Sequence, residues 1–223
     1  GLGEIRRMFR RGNSGKGSSK QAGRGSGCSD AGVLALFEKY RDEDCDEPSV
    51  GPGGVEQLCS DLEVEPTDLK ILILAWRMGA SKMGFFTQEE WERGMRALRA
   101  DSLEKLKTAM QYINEEIHSP PAFRDFYTYA FKFCLTEPRQ KNIDIDTAVA
   151  MFNMVLPGRP HVEPFCEFLQ EQTEYSRVTL DQWEGFLRFI EEVDLTFDNY
   201  DESAAWPLLL DNFVDWGKEK AAK

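Results

Sequence analysis

The sequence predicts an all-α fold: a helical domain built from degenerate EF-hand-like helix–loop–helix units, preceded by a disordered basic tail. Three observations carry this. From Val33 onward, apolar residues recur at three- and four-residue spacing nearly throughout. Strand-like stretches are confined to scraps of two or three residues. Finally, Phe86-Thr87-Gln88-Glu89-Glu90-Trp91-Glu92 returns 92 residues later as Val178-Thr179-Leu180-Asp181-Gln182-Trp183-Glu184. Each copy has an apolar residue, a Thr able to cap a helix, a Glu or Gln three positions on that can return the bond, and then Trp.

Taken in order, residues 1–32 hold nine of the eighteen glycines among Ser and Lys/Arg. Such a segment cannot bury a core and is expected to be disordered, with room for a short basic helix over Glu4–Arg11. Gly12–Lys16 lacks the Gly-x-x-x-x-Gly-Lys-Ser/Thr spacing of a phosphate loop. Ile5 stands where an acylation signal on Gly1 wants Ser or Thr. The helical domain is expected over 33–220. Leu34, Leu36, Phe37 and Tyr40 open its first helix, and Val55, Leu58, Cys59 and Leu62 mark the second. Pro66–Met78 reads as a central buried helix, apolar through Ile71-Leu72-Ile73-Leu74-Ala75-Trp76 and too short to span a bilayer. The Thr87 capping box starts a fourth. Another runs from Asp101 or Ser102 to Ile117, and Pro120-Pro121 launch an aromatic one over Phe123–Leu135. Asp144–Leu156, Val162–Glu171 and Thr179–Val193 follow. A proline-started helix closes the chain. In it Trp206, Leu209, Leu210, Phe213 and Trp216 fall near one face, and Asp211 and Asp215 share the face left over. The recurrence at 92 residues suggests two related halves, each a pair of helix–loop–helix units. Capping boxes also recur by chance, so duplication and coincidence both stay open.

Charge is unevenly placed. The net charge is −12, yet residues 1–32 carry seven Lys/Arg against two acids, leaving −17 on the remainder. Such a body repels nucleic acid and anionic lipid and favours basic protein partners, although acidity alone also serves solubility. The chain has no apolar run of membrane-spanning length and no apolar secretory core at its start. Cys28, Cys45, Cys59, Cys134 and Cys166 are odd in number, without a Cys-x-x-Cys pair. This pattern fits a reducing intracellular compartment, with most thiols acting as small core residues.

The search for chemistry is largely negative. Asp42, Asp44 and Asp46 alternate as the first ligands of a calcium loop would, but Glu47 replaces the required Gly and Gly53 the closing Glu. Asp144 and Asp146 lead straight into a helix. His118 and His161 stand beside proline or in loops and read as surface residues rather than zinc ligands. Neither a nucleophile elbow nor a Cys–His pairing is visible. No catalytic residue, metal or cofactor is therefore expected. Two surfaces remain. One is apolar and draws on Val55, Leu58, Ile71, Leu72, Leu74, Phe86, Phe133, Met151 and Met154. Stripes of this kind usually form core, but methionine with aromatics also builds grooves for partner helices. The other is acidic: Asp181, Asp211 and Asp215, with Asp201 and Glu202 near. Ala205 among them is small enough to admit a long basic side chain.

These residues resemble a known family. Leu74-Ala75-Trp76, Asp101-Ser102-Leu103-Glu104-Lys105-Leu106-Lys107, Phe123-Arg124-Asp125-Phe126-Tyr127, Val155-Leu156-Pro157-Gly158-Arg159 and the run from Asn199-Tyr200-Asp201-Glu202 through Ala205-Trp206-Pro207 to Phe213-Val214 occur in the order and spacing of the potentiating-neddylation domain of defective-in-cullin-neddylation (DCN-like) proteins. The resemblance covers Val33 to about Lys218. It implies a scaffold-type co-ligase, with no catalytic residue of its own, that holds a cullin's C-terminal winged-helix region and the neddylation conjugating enzyme together. It implies cullin binding by Asp181, Ala205 and Asp211, with Asn212 in place of a second acid. It also implies a pocket for the acetylated N-terminal methionine of the conjugating enzyme, formed by Pro52, Val55, Ile71, Leu72, Leu74, Met83, Phe86, Phe133, Met151 and Met154. Pro52, Met83 and Met151 depart from the commoner residues there. The expected protein is a monomer of nucleus and cytoplasm that binds no nucleic acid. An EF-hand-like adaptor, responsive to calcium or using a helix groove, is the alternative.

Overall fold

The computed structural model describes residues 28–43, 45 and 47–222. The expectations for the tail up to residue 27, and for Asp44 and Asp46, lie outside them. The chain forms two compact units, which divide between Phe126 and Tyr127.

The first unit opens with α1 (Asp30–Tyr40), three residues earlier than the apolar spacing implied. The reason is a cap: the Ser29 hydroxyl accepts from Gly32 N, while Ser29 N donates to the Asp101 carboxylate at 2.7 Å. Next come β1 (Ser49–Val50), α2 (Pro52–Leu62), α3 (Leu69–Met78), β2 (Phe86–Thr87), α4 (Gln88–Ala97) and α5 (Leu103–Tyr112). The third helix begins at Leu69 rather than Pro66, because Asp68 accepts from Lys70 N and so fixes the first turn. The helix expected to reach Ile117 is α-helical only to Tyr112 and tightens into a 3-10 turn over Ile113–Ile117. β1 and β2 pair antiparallel, with Val50 opposite Phe86, and so tie the loop after α1 to the loop after α3. Trp91 is fully buried at the centre. The rings of Phe37, Tyr40 and Phe86 lie 5.9–6.5 Å away, and its indole N–H donates to Val33 O at 3.2 Å. That bond is why so large an amphipathic side chain can be buried without cost to its N–H.

α6 (Pro120–Phe133) runs through the division into the second unit. There follow β3 (Asn142–Asp144), α7 (Ile145–Val155), α8 (Val162–Glu171), β4 (Arg177–Thr179), α9 (Leu180–Glu192) and α10 (Leu208–Ala221). β3 and β4 pair antiparallel, with Ile143 opposite Val178. Trp183 takes the central place. It is sandwiched by Tyr127 at 4.6 Å and Phe152 at 4.3 Å, both near-parallel. Trp183 Nε1 donates to Tyr127 O and Tyr127 Oη donates to Trp183 O, each at 3.0 Å. Both Thr capping boxes form reciprocally: Thr87 with Glu90 and Thr179 with Gln182. The class is all-α, and among the described residues the strands never exceed three residues.

Candidate partner-binding surfaces

The acidic face belongs to the second unit. Asp181 lies in the first turn of α9 and is exposed. One turn on, and so on the same side of that helix, is Gly185. A Cβ there would stand 2.9 Å from Pro207 Cγ and 3.6 Å from Leu210 Cδ1, so the start of α10 rests directly on Gly185. Asp211 follows Leu210. The packing of Pro207 and Leu210 on Gly185 therefore brings the first turns of α9 and α10, with their two carboxylates, to one region. Ala205 is exposed in the loop that enters α10. The three residues expected to act together are thus supported by one contact.

Asp211 is not a free solvated charge. It is half-buried, and the Tyr200 hydroxyl donates to its Oδ1 at 2.5 Å. Burial and the Asp211 carboxylate both push the Tyr200 pKa up, so the phenol stays protonated and available as the donor. Asn212 donates to Tyr175 Oη at 2.9 Å and Glu174 Oε2 at 3.3 Å. Asp215 is exposed. In α10 the buried stripe is Leu209, Leu210, Phe213 and Val214. Trp206 lies outside the helix, which starts at Leu208 because Pro207 is extended and takes the N-cap position. Its ring, half-buried, stacks on Tyr200 at 5.9 Å, meets Phe189 edge-on and lies 4.1 Å beneath the Arg188 guanidinium. Trp206 thereby fixes the loop carrying Ala205 onto α9.

The ten residues of the expected apolar pocket are divided between the units. Pro52, Val55, Ile71, Leu72, Leu74, Met83 and Phe86 stand in the first, Phe133, Met151 and Met154 in the second. Val55, Ile71, Leu72, Leu74, Phe86, Phe133 and Met151 are buried, while Pro52, Met83 and Met154 are half-buried. In the first unit the Val50–Phe86 rung of the ladder ties the segment that starts α2, with Pro52 and Val55, to the segment carrying Phe86.

Asp42 and Asp144 have structural roles. Both oxygens of Asp42 accept from the backbone N–H groups of Gly53 and Gly54, which begin α2. A Cβ on Gly54 would stand 1.9 Å from Tyr40 O, so only glycine admits this approach. Asp144 caps α7 through Thr147 N and Oγ1. Among the described residues, no three His, Cys, Asp or Glu side chains gather as a metal would require. Burial pushes the Cys59 and Cys134 thiols up to about 12 and Cys166 to about 11, so all three stay protonated near neutral pH.

His161 overturns its surface reading. It is 2% exposed, left-handed in backbone, and enclosed by the rings of Phe189, Phe197 and Phe213. Its Nε2 lies 3.1 Å from Val193 O. The adjacent proline suggested a loop, and the loop is real, but the aromatic cage comes from residues distant in sequence. His118 is exposed.

Comparison with known proteins agrees with the resemblance. The sequence model of a family described as Cullin binding matches residues 105–216, which is half of the chain and includes Asp181, Ala205 and Asp211. DCN1-like protein 5 of Bos taurus is 41% identical over 191 residues, covering 85% of this chain and 78% of that protein. DCN1-like protein 4 of Danio rerio is 40% identical over 188 residues, 84% of this chain and 65% of that one. DCN1-like protein 4 of Drosophila melanogaster is 38% identical over 191 residues, 85% and 76% respectively.

Proposed function

The chain belongs to the family of cullin-binding, DCN1-like proteins, and on that premise we propose that it is a scaffold-type co-ligase for cullin neddylation. Its acidic face holds the cullin's C-terminal winged-helix region. Its apolar residues hold the acetylated N-terminus of the conjugating enzyme. Holding both raises the local concentration of thioester and acceptor lysine and orients them, a gain that needs no catalytic side chain. The observations that support this reading are the family match across residues 105–216 and the packing of Pro207 and Leu210 on Gly185, which joins the first turns of α9 and α10. A basic side chain on the partner would be steered by the carboxylates and would find room over Ala205.

Acetylation matters in this scheme because a free terminal amine would take its charge among apolar side chains, and an unpaired buried charge costs ~3–5 kcal/mol. Of the residues of the first unit assigned to that contact, Pro52 and Met83 have exposed surface with which to meet the peptide. Calorimetric titration with acetylated and free N-terminal peptides is expected to give strong preference for the acetylated form. Equal affinities would remove this half of the proposal.

The whole reading is tested by reconstituted cullin modification with and without the protein. The rate should rise when it is added, and the double variant Asp181→Lys, Asp211→Arg should abolish the rise while melting like the parent. An unchanged rate on adding the native protein would remove the co-ligase assignment.

A further inference from the structure

His161 is a polar side chain in an aromatic cage. The ring meets Phe189 at 5.1 Å and Phe213 at 6.2 Å edge-on, and lies tilted against Phe197 at 5.2 Å. An apolar residue would fill that space at no electrostatic cost, whereas an imidazole belongs there only if its N–H is satisfied. It is satisfied by Val193 O, 3.1 Å from Nε2. A carbonyl can only accept, so Nε2 carries the proton and Nδ1 of the neutral ring does not.

The position of that carbonyl is informative. Val193 is the residue at which the chain turns from α9 into extended backbone. The neighbouring carbonyl, Glu192 O, accepts from Asn199 Nδ2 at 2.8 Å, and Asn199 Oδ1 accepts from Asp194 N at 2.9 Å. The side chain that precedes α8 and one from the loop thus close the end of α9 and set the exit direction. The chain then tucks Phe197, itself left-handed, between His161 and Gly217, where a Cβ would stand 2.6 Å from the Phe197 ring. It goes on to present Tyr200 to Asp211, leave Ala205 exposed and lay Trp206 on Phe189.

We propose that His161 is a positioning residue for the acidic face: the hydrogen bond from its Nε2–H to Val193 O sets where loop 194–206 leaves α9, and so where Ala205 and the Tyr200–Asp211 pair stand. The proposal rests on the reading of that face as the partner surface. It carries a pH consequence. A second proton would place an N–H at Nδ1 within the cage. The elements packed on the ring offer it Phe189 from α9, Phe213 from α10, and Phe197 and the charged Asp194 from the loop. Burial holds the pKa below its ordinary 6.5, opposed by the backbone of Val193 and Asp194 and by the Asp194 charge. A group depressed in this way contributes fully above its unfolded value and loses its contribution as pH falls below about 6.5 toward the folded value.

The test uses the full chain with His161→Phe, which keeps a ring and loses the donor, and His161→Gln, which restores an N–H donor. Three quantities are read: melting temperature, hydrogen exchange of the 194–206 amides, and affinity for a cullin winged-helix fragment at pH 7.5 and 6.0. The Phe variant should melt within a few degrees of the parent. It should exchange faster in 194–206 alone and bind about fivefold more weakly. The Gln variant should recover most of both losses, and its melting temperature should fall less between pH 7.5 and 6.0 than the parent's. Parental exchange and affinity in the Phe variant would overturn the proposal, as would faster exchange throughout the unit in both variants. If the parent itself fails to bind the fragment, the partner reading fails, and loop exchange still decides the role of His161.

Discussion

Replacing Tyr200 by Phe deletes one oxygen and tests how the acidic face is built. The ring contacts survive, since Tyr200 packs on Trp206 at 5.9 Å and on Phe189 at 5.8 Å through its ring alone. What is lost is the 2.5 Å bond from the hydroxyl to Asp211 Oδ1. A hydrogen bond to a charged acceptor contributes ~1.5–3 kcal/mol net. Both side chains here are half-exposed, and water can replace the phenol on the carboxylate, so the lower end applies, about 1.5 kcal/mol. For a chain of this size each kcal/mol moves the melting point by roughly 2–4 °C, giving a drop of about 3–6 °C. Asp211→Asn alone weakens the same bond, and the double variant completes a cycle. Urea unfolding followed by tryptophan fluorescence should return a coupling energy near 1 kcal/mol, since Asn still accepts weakly. The Phe variant should also bind the cullin fragment several-fold more weakly, because Asp211 loses its fixed rotamer. A coupling energy below ~0.3 kcal/mol would show that Tyr200 does not hold Asp211 in solution, and the argument that the face is preorganised would fall.

Other outcomes follow from the same contacts. Trp183→Ala should cost about 3–5 kcal/mol, enough to unfold the second unit, because it leaves the rings of Tyr127 and Phe152 without the indole they stack on and Tyr127 O without its donor; circular dichroism would show the loss. Thr87→Ala and Thr179→Ala each remove one capping box and should destabilise by ~1 kcal/mol, and their effects should add because the boxes share no residue. In brief alkylation at neutral pH, Cys59, Cys134 and Cys166 should stay unmodified and only Cys28 and Cys45 react, while all five react after denaturation; mass spectrometry counts the adducts. Gly185→Val should weaken cullin binding more than it lowers helix content, since a branched side chain must push Pro207 and Leu210, and the residues beside them, off α9.

What was legible in the sequence was local. Thr87 and Thr179 declared their helices because a cap and its reciprocal partner sit three residues apart, so the whole interaction lies within one window. The same chemistry explains two boundary errors: Ser29 and Asp68 are also caps, but the Gly32 and Lys70 amides they hold carry no side-chain signal. The spacing around Asp42 and Asp144 excludes a calcium loop and leaves their oxygens without an assigned partner. In the structure those oxygens accept from backbone N–H groups.

The acidic face shows where such reading stops. Acids four apart on a helix can be counted, but whether one is a solvated charge or a held acceptor depends on a partner eleven residues back across a proline. Tyr200 gives no periodic hint of that role, nor does His161 of its cage, since Phe189, Phe197 and Phe213 come from three separate segments. Recognition by family supplied Asp181, Ala205 and Asp211 as a set without a reason for it. The structure offers a shared support: Gly185 lets Pro207 and Leu210 close on α9, and Ala205 is one of several exposed residues in the loop that precedes them. A surface made this way depends on the loop's anchors as much as on its charges. Variants at Tyr200 and His161 should therefore mimic the loss of an acid, with a weaker dependence on salt, because they displace the carboxylates without removing them.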